Sequence, residues 1–229
     1  MRSSLLLLAS LAFPALAGPP AHLELEWELL RDGATIAAVT HRVDLSAEGK
    51  YEISEAWAGR GLYRLLGQAR RVSRGEVRPE GLRPAEYTDE RTGRDPERAS
   101  FDWSRGTVTY QYKGPPATVP LPAHATDELC ALFGFAFSPP REPLIEQDVV
   151  TGRGISDRIF RNEGREKVST PAGDFDAIRL VRRKDSGERA EIWLAADRSF
   201  LPVRILLVDR NGTRVDQTLL RVATTPARP

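Results

Sequence analysis

Residues 23–29 read LELEWEL, and this stretch decides the fold class of the chain. Apolar and acidic side chains alternate through it, which is the period-two pattern of a strand with one buried face. Asp32-Gly33 follows, and this dipeptide is typical of hairpin turns. Apolar residues alternate again from Val39 to Leu45. The pattern therefore predicts that the folded part of the chain begins as a β-meander.

Strand patterns continue through most of the remaining sequence, and 59–67 is predicted as a short helical turn or a wide loop. Further strands are predicted at 51–57, 69–73, 85–91, 107–112, 147–151, 156–160, 166–170, 175–182, 189–195 and 202–209. Pro84, between the predicted strands at 69–73 and 85–91, is expected to stay outside any central ladder, because proline cannot donate a ladder hydrogen bond. Asn211-Gly212 predicts a two-residue hairpin turn with both residues at positive φ.

One helix is predicted, near residues 127–138, after a proline-rich break near 114–122. Thr126 is the expected N-cap, and Pro139-Pro140 ends the apolar helical periodicity. The predicted fold is therefore all-β with one covering α-helix, in which a strongly curved antiparallel sheet forms a barrel or half-barrel. Curvature is expected because a long open sheet would leave two aggregation-prone edges.

The first residues predict a cleaved signal peptide, 1–17, followed by a single β-rich domain, 18–229. Arg2 precedes an apolar run from Leu5 to Phe13, and Ala15-Leu16-Ala17 forms the cleavage motif. The residue directly after that site is Gly18 and not a cysteine, which argues against a lipoprotein. No later segment is apolar enough over about 20 residues to cross a bilayer. A periplasmic or secreted protein is expected.

Composition excludes several classes of function. The 33 basic and 32 acidic residues nearly balance, which argues against a nucleic-acid partner. The single cysteine, Cys130, cannot form an internal disulfide and is expected to be a buried thiol. The three histidines are far apart, and no zinc, nucleophile-elbow or phosphate-loop motif occurs. We therefore expect no metal and no cofactor, and catalysis is not favoured.

Four short motifs carry a family resemblance. They are Ser73-Arg74-Gly75 with Gly81–Tyr87, Phe101-Asp102-Trp103, Thr170–Phe175, and Glu191–Ala195 with Leu201-Pro202-Val203. In their order and spacing the chain resembles the bacterial family called domain of unknown function 3108 (DUF3108). The resemblance implies a secreted or periplasmic β-rich protein of unassigned activity and supplies no catalytic residues. The chain departs from the family pattern at Thr126-Asp127, where that pattern has Gln-Asp.

A looser similarity is to periplasmic lipoprotein-carrier proteins, which bind acyl chains inside a curved, half-open barrel covered by helices. By that analogy, the leading hypothesis is non-enzymatic binding of an apolar or amphipathic ligand, which could be a lipid, an acyl chain or a glycan. The candidate ligand-binding residues are Tyr87, Asp102, Trp103, Asp127, Phe133 and Trp193.

Two alternatives stay open. The first is an enzyme that acts on a cell-wall or glycan substrate through carboxylates such as Asp102 and Asp127. The second is a scaffold that binds another envelope protein through an exposed edge strand. The sequence leaves the ligand and the oligomeric state open.

Overall fold

The computed structural model describes residues 21–225, so the predicted signal peptide lies outside the described residues. Fifteen strands form one sheet. They are β1 His22–Arg31, β2 Ala34–Leu45, β3 Lys50–Gly59, β4 Gln68–Arg78, β5 Gly81–Arg91, β6 Glu97–Asp102, β7 Thr107–Gln111, β8 Ala117–Pro120, β9 Ala125–Asp127, β10 Leu144–Thr151, β11 Gly154–Thr170, β12 Gly173–Arg183, β13 Arg189–Ala195, β14 Leu201–Val208 and β15 Arg214–Thr225. The α-helix, α1, is Glu128–Phe133, and two 3₁₀ helices span Gly61–Leu66 and Gly134–Ala136. None of the helices within 21–225 is long and apolar enough to cross a membrane.

Nearly every strand pairs antiparallel with its neighbour in sequence. The exceptions are β9, which pairs parallel with β10, and β8, which does not pair with β9. In the middle of the sheet β1 also pairs antiparallel with β15, which is distant in sequence. The sheet order is β8-β7-β6-β5-β4-β3-β2-β1-β15-β14-β13-β12-β11-β10-β9. The two edge strands are therefore β8 and β9, which do not pair with each other.

The sheet must curve because its two edges are close neighbours in sequence. A flat sheet of this width would separate β8 from β9 by about 65 Å. Residues 121–124, which connect them, can span only about 18 Å. Accordingly β9 contacts β5, and β10 contacts β6. The predicted curved β-sheet with one helix is confirmed, and the sheet is not closed into a barrel.

The interior of the curved sheet is filled around α1. Trp27 and Ile53, from β1 and β3, are fully buried there, and Leu129, Cys130 and Phe133 of α1 pack into the same cluster. A second cluster lies beside it and contains Phe135, Phe160, Leu180, Ala190 and Leu194. The helix thus packs inside the curve as part of the main core cluster.

The helix begins later and ends earlier than the sequence predicts. Thr126 does not cap it, because Thr126 is extended and pairs with Val149 in the β9–β10 ladder. The N-cap is Asp127, whose Oδ1 accepts hydrogen bonds from the backbone N–H groups of Leu129 and Cys130 at 2.9 Å. After Phe133 the chain tightens into a 3₁₀ turn.

Pro84 also lies where the sequence excluded it. It stands inside β5 opposite Gly75, at the position where the β4–β5 register shifts. A Cβ atom on Gly75 would lie 2.1 Å from the carbonyl oxygen of Arg83, so only glycine permits this close approach. The prediction was wrong because a bulge accommodates proline within a ladder.

The last hairpin forms as predicted, but its turn has a different geometry. Gly212 has a positive φ of 82°, whereas Asn211 does not. Asp209 Oδ1 instead accepts hydrogen bonds from the N–H groups of Asn211 and Thr213, at 2.8 and 3.0 Å. The loop is therefore organised by the Asp209 carboxylate rather than by a two-residue turn.

Candidate functional site

A cavity of about 250 Å³ lies between α1 and the concave face of the sheet. We call it the inner cavity. Its apolar lining is Leu29, Trp57, Leu129, Ala131, Leu132, Phe160, Ala190, Ile192, Ile205, Leu207 and Val215. Its polar lining is Glu55, Arg71, Glu128, Gln147, Arg158, Arg182 and Gln217. The cavity therefore joins an apolar wall to a set of charged and amide groups.

Two of the three arginines in this wall have carboxylate partners. Arg71 donates to Glu55 Oε1 at 3.0 Å and to Asp89 Oδ2 at 2.9 Å. Arg158 binds Glu128 through two hydrogen bonds, at 2.6 and 3.1 Å. These pairs neutralise both guanidinium groups and hold them in fixed positions.

Arg182 is different, because it forms no ion pair with any residue in the range 21–225. Its guanidinium lies 5.8 Å from the ring centroid of Phe160. Burial first, and the nearby positive charge of Arg158 second, lower the pKa of Arg182 below its usual value. The cavity lining thus holds three guanidinium groups and two carboxylates. Asp89, outside the lining, is a further partner of Arg71, and the charges of Glu128 and Glu188 act on Arg182 without an ion pair.

Two further donors in the wall also lack acceptors among the described residues. They are Nε of Arg158 and Nε2 of Gln217, and both atoms are buried. Burying an N–H group without an acceptor is costly, so such groups are rare in folded proteins. Arg182, which is only half-buried, offers an oxygen-rich anion hydrogen-bond donors beside the apolar surface.

A buried charge network supports the cavity from β2 to β5. His41 is completely buried, and its Nε2 lies 2.9 Å from Glu55 Oε2. Burial alone would raise the pKa of Glu55, but the hydrogen bond to His41 and the charges of His41 and Arg71 outweigh it and lower the pKa. Glu55 is therefore held as a carboxylate, which suits an anchor for Arg71 rather than a proton donor.

A second buried polar cluster lies at the start of α1. Asp127 Oδ2 accepts a hydrogen bond from Ser73 Oγ at 2.5 Å, and Tyr51 Oη lies 2.9 Å from Cys130 Sγ. Burial raises the pKa of Asp127 to about 6. Burial, and then the charge of Asp127, raise the pKa of the Cys130 thiol well above its usual value. Cys130 is thus a protonated, buried thiol and a poor nucleophile.

The structure places four of the six sequence-predicted site residues in the core: Tyr87, Asp127, Phe133 and Trp193. Asp127 caps α1, and Phe133 packs edge-on against His41 with ring centroids 5.1 Å apart. Tyr87 is also buried, and burial raises the pKa of its hydroxyl. None of these four belongs to the inner-cavity lining as described. Their ligand-binding role remains a prediction.

Asp102 and Trp103, the remaining predicted residues, lie at the β6–β7 turn, whereas the buried Trp193 lies on β13. Asp102 Oδ1 accepts hydrogen bonds from Ser104 and Arg105 in the β6–β7 turn. Trp103 donates through Nε1 to the carbonyl oxygen of Pro84 at 2.6 Å. Trp193 lies on the opposite face of β13 from the cavity residue Ile192. Trp193 belongs to the same buried cluster as Phe133, and Trp103 packs against that cluster, but neither tryptophan lines the inner cavity.

The polar residues of the inner cavity were missed by the sequence analysis, although a signal for them exists. Arg182 follows Ile178 and Leu180 at intervals of two, so it is in phase with a buried apolar face. Gln217 stands in the same relation to Leu219. A charged or amide side chain in phase with a buried face indicates either a buried pair or a site.

Comparisons with known proteins agree with the fold. Residues 23–219 match a family model described as "Protein of unknown function (DUF3108)". No curated protein matches the chain. A β-barrel-like protein of the domain of unknown function DUF1849 from Brucella abortus has a TM-score of 0.63 at 9% identity, and the alignment covers 91% of this chain and 100% of that one. This likeness shows a shared fold.

Two further solved structures are more distant. An exported protein with a YmcC-like fold from Bacteroides fragilis has a TM-score of 0.42 at 12% identity, with coverage of 90% of this chain and 97% of that one. An outer membrane lipoprotein-sorting protein domain from Vibrio parahaemolyticus has a TM-score of 0.29 at 8% identity, with coverage of 91% and 87%. Similarities this low carry no argument about the chain.

Proposed function

We propose, for a chain that belongs to the DUF3108 family of proteins of unknown function, that its inner cavity binds a small amphipathic anion without transforming it. The ligand class is an acyl chain that ends in a carboxylate or a similar oxygen-rich acidic group. In an exported protein, as the predicted signal peptide indicates, such a ligand would come from the cell envelope. This proposal refines the sequence hypothesis of an apolar or amphipathic ligand in a curved sheet.

The observation that carries the proposal is Arg182, a half-buried guanidinium without a carboxylate partner in the described chain, beside an apolar wall. A ligand carboxylate would form charge-assisted hydrogen bonds with it, which are about twice as strong as neutral ones. The apolar part of the ligand would lie against Leu132 and Ile205. Each buried methylene group contributes about 0.8 kcal/mol.

The size of the cavity restricts the ligand. Its volume of about 250 Å³ lies just below the range of about 300–1,000 Å³ that is typical of small-molecule sites. The cavity therefore suits a short or medium acyl chain, or the first part of a longer chain whose remainder extends out between α1 and the sheet.

Binding is favoured over the alternative of carboxylate catalysis. The two carboxylates that line the cavity, Glu55 and Glu128, each bind an arginine. A general acid needs a raised pKa, whereas the pKa of Glu55 is lowered. Asp102 and Asp127, the pair named from the sequence, serve instead as a turn acceptor and a helix cap.

Binding is also favoured over a scaffold role through an edge strand. The two edges of the sheet are β8, with four residues that include Pro120, and β9, with three residues. Short edges and an edge proline are devices that limit strand addition by another chain.

Titration calorimetry with three ligands tests the proposal. Decanoate has both the apolar chain and the charge, whereas 1-decanol lacks the charge and acetate lacks the chain. We expect decanoate to bind at least about tenfold more tightly than either, because a hydrogen bond to a charged group contributes about 1.5–3 kcal/mol. Arg182→Gln should weaken decanoate binding by about tenfold or more.

Arg183→Gln is the matched control, because Arg183 is the next residue of β12 and is exposed. We expect it to bind decanoate as the wild type does. Failure of the folded wild-type protein to bind decanoate, or equal binding by Arg182→Gln, would overturn the proposal.

A further inference from the structure

The connection between β3 and β4 exposes two leucines almost completely. It is the 3₁₀ helix Gly61–Leu66, in which Leu62 is 85% exposed and Leu65 is 87% exposed. Residues three apart in a 3₁₀ helix lie on the same side. The two leucines therefore form one apolar stripe that points away from the protein.

The turn holds this stripe in a defined position. The backbone N–H of Tyr63 donates to Arg60 O at 3.0 Å, and that of Gly67 donates to Arg64 O at 3.3 Å. Gly59 packs closely under the turn, since a Cβ atom there would lie 2.2 Å from Tyr63 O. The leucines are thus presented by an ordered turn. Tyr63, which lies between them in sequence, is half-buried.

The charged residues that flank the stripe in sequence are all arginines. Arg60 and Arg64 flank the leucines and are exposed, and neither forms an ion pair within the described residues. The sequence 59–71 contains four arginines and no acidic residue. Arg94, in the adjacent β5–β6 turn, is also exposed, although Asp95 follows it. The connection is therefore an apolar tip with a basic border.

We infer that this connection docks the protein on an anionic lipid bilayer. Leu62 and Leu65 would enter the boundary between headgroups and acyl chains, and Arg60 and Arg64 would contact lipid phosphates. Basic residues at a membrane surface are attracted by anionic lipids, and apolar side chains add the burial of their own area. A pair of leucines is far smaller than the roughly 800 Å² per partner that a stable protein interface buries, so a bilayer is the partner that fits.

This inference goes beyond the proposed function and does not depend on it. The two features are nevertheless linked by the fold, because β3 and β4 also carry Trp57 and Arg71 of the inner cavity. Docking by the β3–β4 connection would place the adjoining ends of β3 and β4 at the bilayer, which could supply an amphipathic ligand.

Vesicle flotation with the purified protein tests the inference, without any added ligand. We expect binding to vesicles that contain phosphatidylcholine and about 30% phosphatidylglycerol, and much weaker binding to phosphatidylcholine alone. The double variant Leu62→Ser/Leu65→Ser and the double variant Arg60→Gln/Arg64→Gln should each lower partitioning by about tenfold or more. Raising the salt concentration should release the wild-type protein, since exposed charges are screened.

Leu144→Ser/Ile159→Ser is the matched control, because these apolar side chains are 50% and 53% exposed on β10 and β11. It should float as the wild type does. The inference is overturned if the folded wild type does not bind anionic vesicles, or if the Leu62→Ser/Leu65→Ser variant, shown to be folded by circular dichroism, floats as well as the control. Neither outcome bears on decanoate binding, so failure here and failure of the proposed function are distinguishable.

Discussion

Asp127 shows how one buried carboxylate can serve the structure rather than a substrate. Its Oδ1 caps α1, and its Oδ2 accepts a hydrogen bond from the Ser73 hydroxyl group, so both oxygens are bonded inside the core. These bonds favour the ionised form, but complete burial opposes it more strongly and raises the pKa to about 6. Folding therefore becomes sensitive to pH at this residue.

We predict that Asp127 makes the wild type less stable as the pH rises from about 4 to above 6. Because the folded-state pKa lies above the unfolded one, the folded state binds more protons in this range, and stability is lost as the proton leaves. A rise of the pKa from the usual 3.8 of an aspartate to about 6 corresponds to a loss of order 3 kcal/mol. Asp127→Asn cannot ionise, so urea unfolding across this range should show a flatter profile for the variant.

Asp102→Asn is the control for that measurement. Asp102 is partly exposed at the β6–β7 turn, where hydrogen bonds from Ser104 and Arg105 lower its pKa, so it does not titrate between pH 4 and 6. Its profile in that range should follow that of the wild type. Parallel profiles for the wild type and Asp127→Asn would show that Asp127 is ionised throughout, and the prediction would be wrong.

At the scale of the element, α1 places two neighbouring residues in different surroundings. Phe133 is 2% exposed and packs in the core against His41, whereas Leu132 is partly exposed and lines the inner cavity. The sequence hypothesis was a helix that gates an apolar interior. The structure separates the residue that holds the helix in place from the residue that faces the cavity.

We predict that alanine substitutions at these two residues will have different effects. Phe133→Ala should reduce the free energy of unfolding by about 3–5 kcal/mol, as for other buried aromatic side chains. Leu132→Ala should cost only about 1 kcal/mol, because its side chain is partly exposed, but it should weaken decanoate binding. Denaturant unfolding and calorimetry on both variants measure this. The opposite ranking of the two stability losses would contradict the assignment of Phe133 to the core.

The element scale also shows what sequence patterns can and cannot predict. The alternation in 23–29 predicted β1, because period-two burial is a local property. The helix was predicted to continue to residue 138, yet α1 ends at Phe133. Its start is fixed by Asp127, whose carboxylate also accepts a hydrogen bond from Ser73 of β4. Such contacts join distant parts of the chain and leave no local periodicity.

At the scale of the whole molecule, the curve of the sheet is held by packing contacts, because the edge strands β8 and β9 do not hydrogen-bond to each other. The β10–β11 turn rests on β6 and β7, where Arg153 Nε donates to Glu97 Oε1 at 2.6 Å. Gly152 makes this approach possible. A Cβ atom there would lie 2.6 Å from both Arg98 N and Gln111 O.

We predict that Gly152→Ala will destabilise the protein by about 1–3 kcal/mol, because it forces atoms into a packed junction. Gly134→Ala is the control. Gly134 has φ of −59° and open space around its Cβ position, so alanine should change stability by less than about 1 kcal/mol, in the stabilising direction. Thermal unfolding of both variants measures this. Equal stability of Gly152→Ala and the wild type would mean that the junction is loose.

The fold class could be predicted from the sequence, but the candidate site could not. Curvature and one helix followed from strand patterns and the family resemblance. Arg182 and Gln217, by contrast, come from β12 and β15, and only the folded sheet brings them to one cavity. Aromatic residues such as Trp103 and Trp193 were predicted as ligand-binding residues, but they do not line that cavity.

The pairing of β1 with β15 has a consequence for how the chain acquires its structure. The ion pair between Glu26 and Arg221 joins residues 195 positions apart, in the middle of the sheet. The hairpins on either side can form as soon as their own residues are available, but the two halves can be joined only when β15 has been synthesised. Contacts between such distant residues slow folding, because a large loop must close before they form. A nascent chain would therefore remain as two unjoined meanders, with β1 and β14 unpaired on one side, until β15 pairs with both of them.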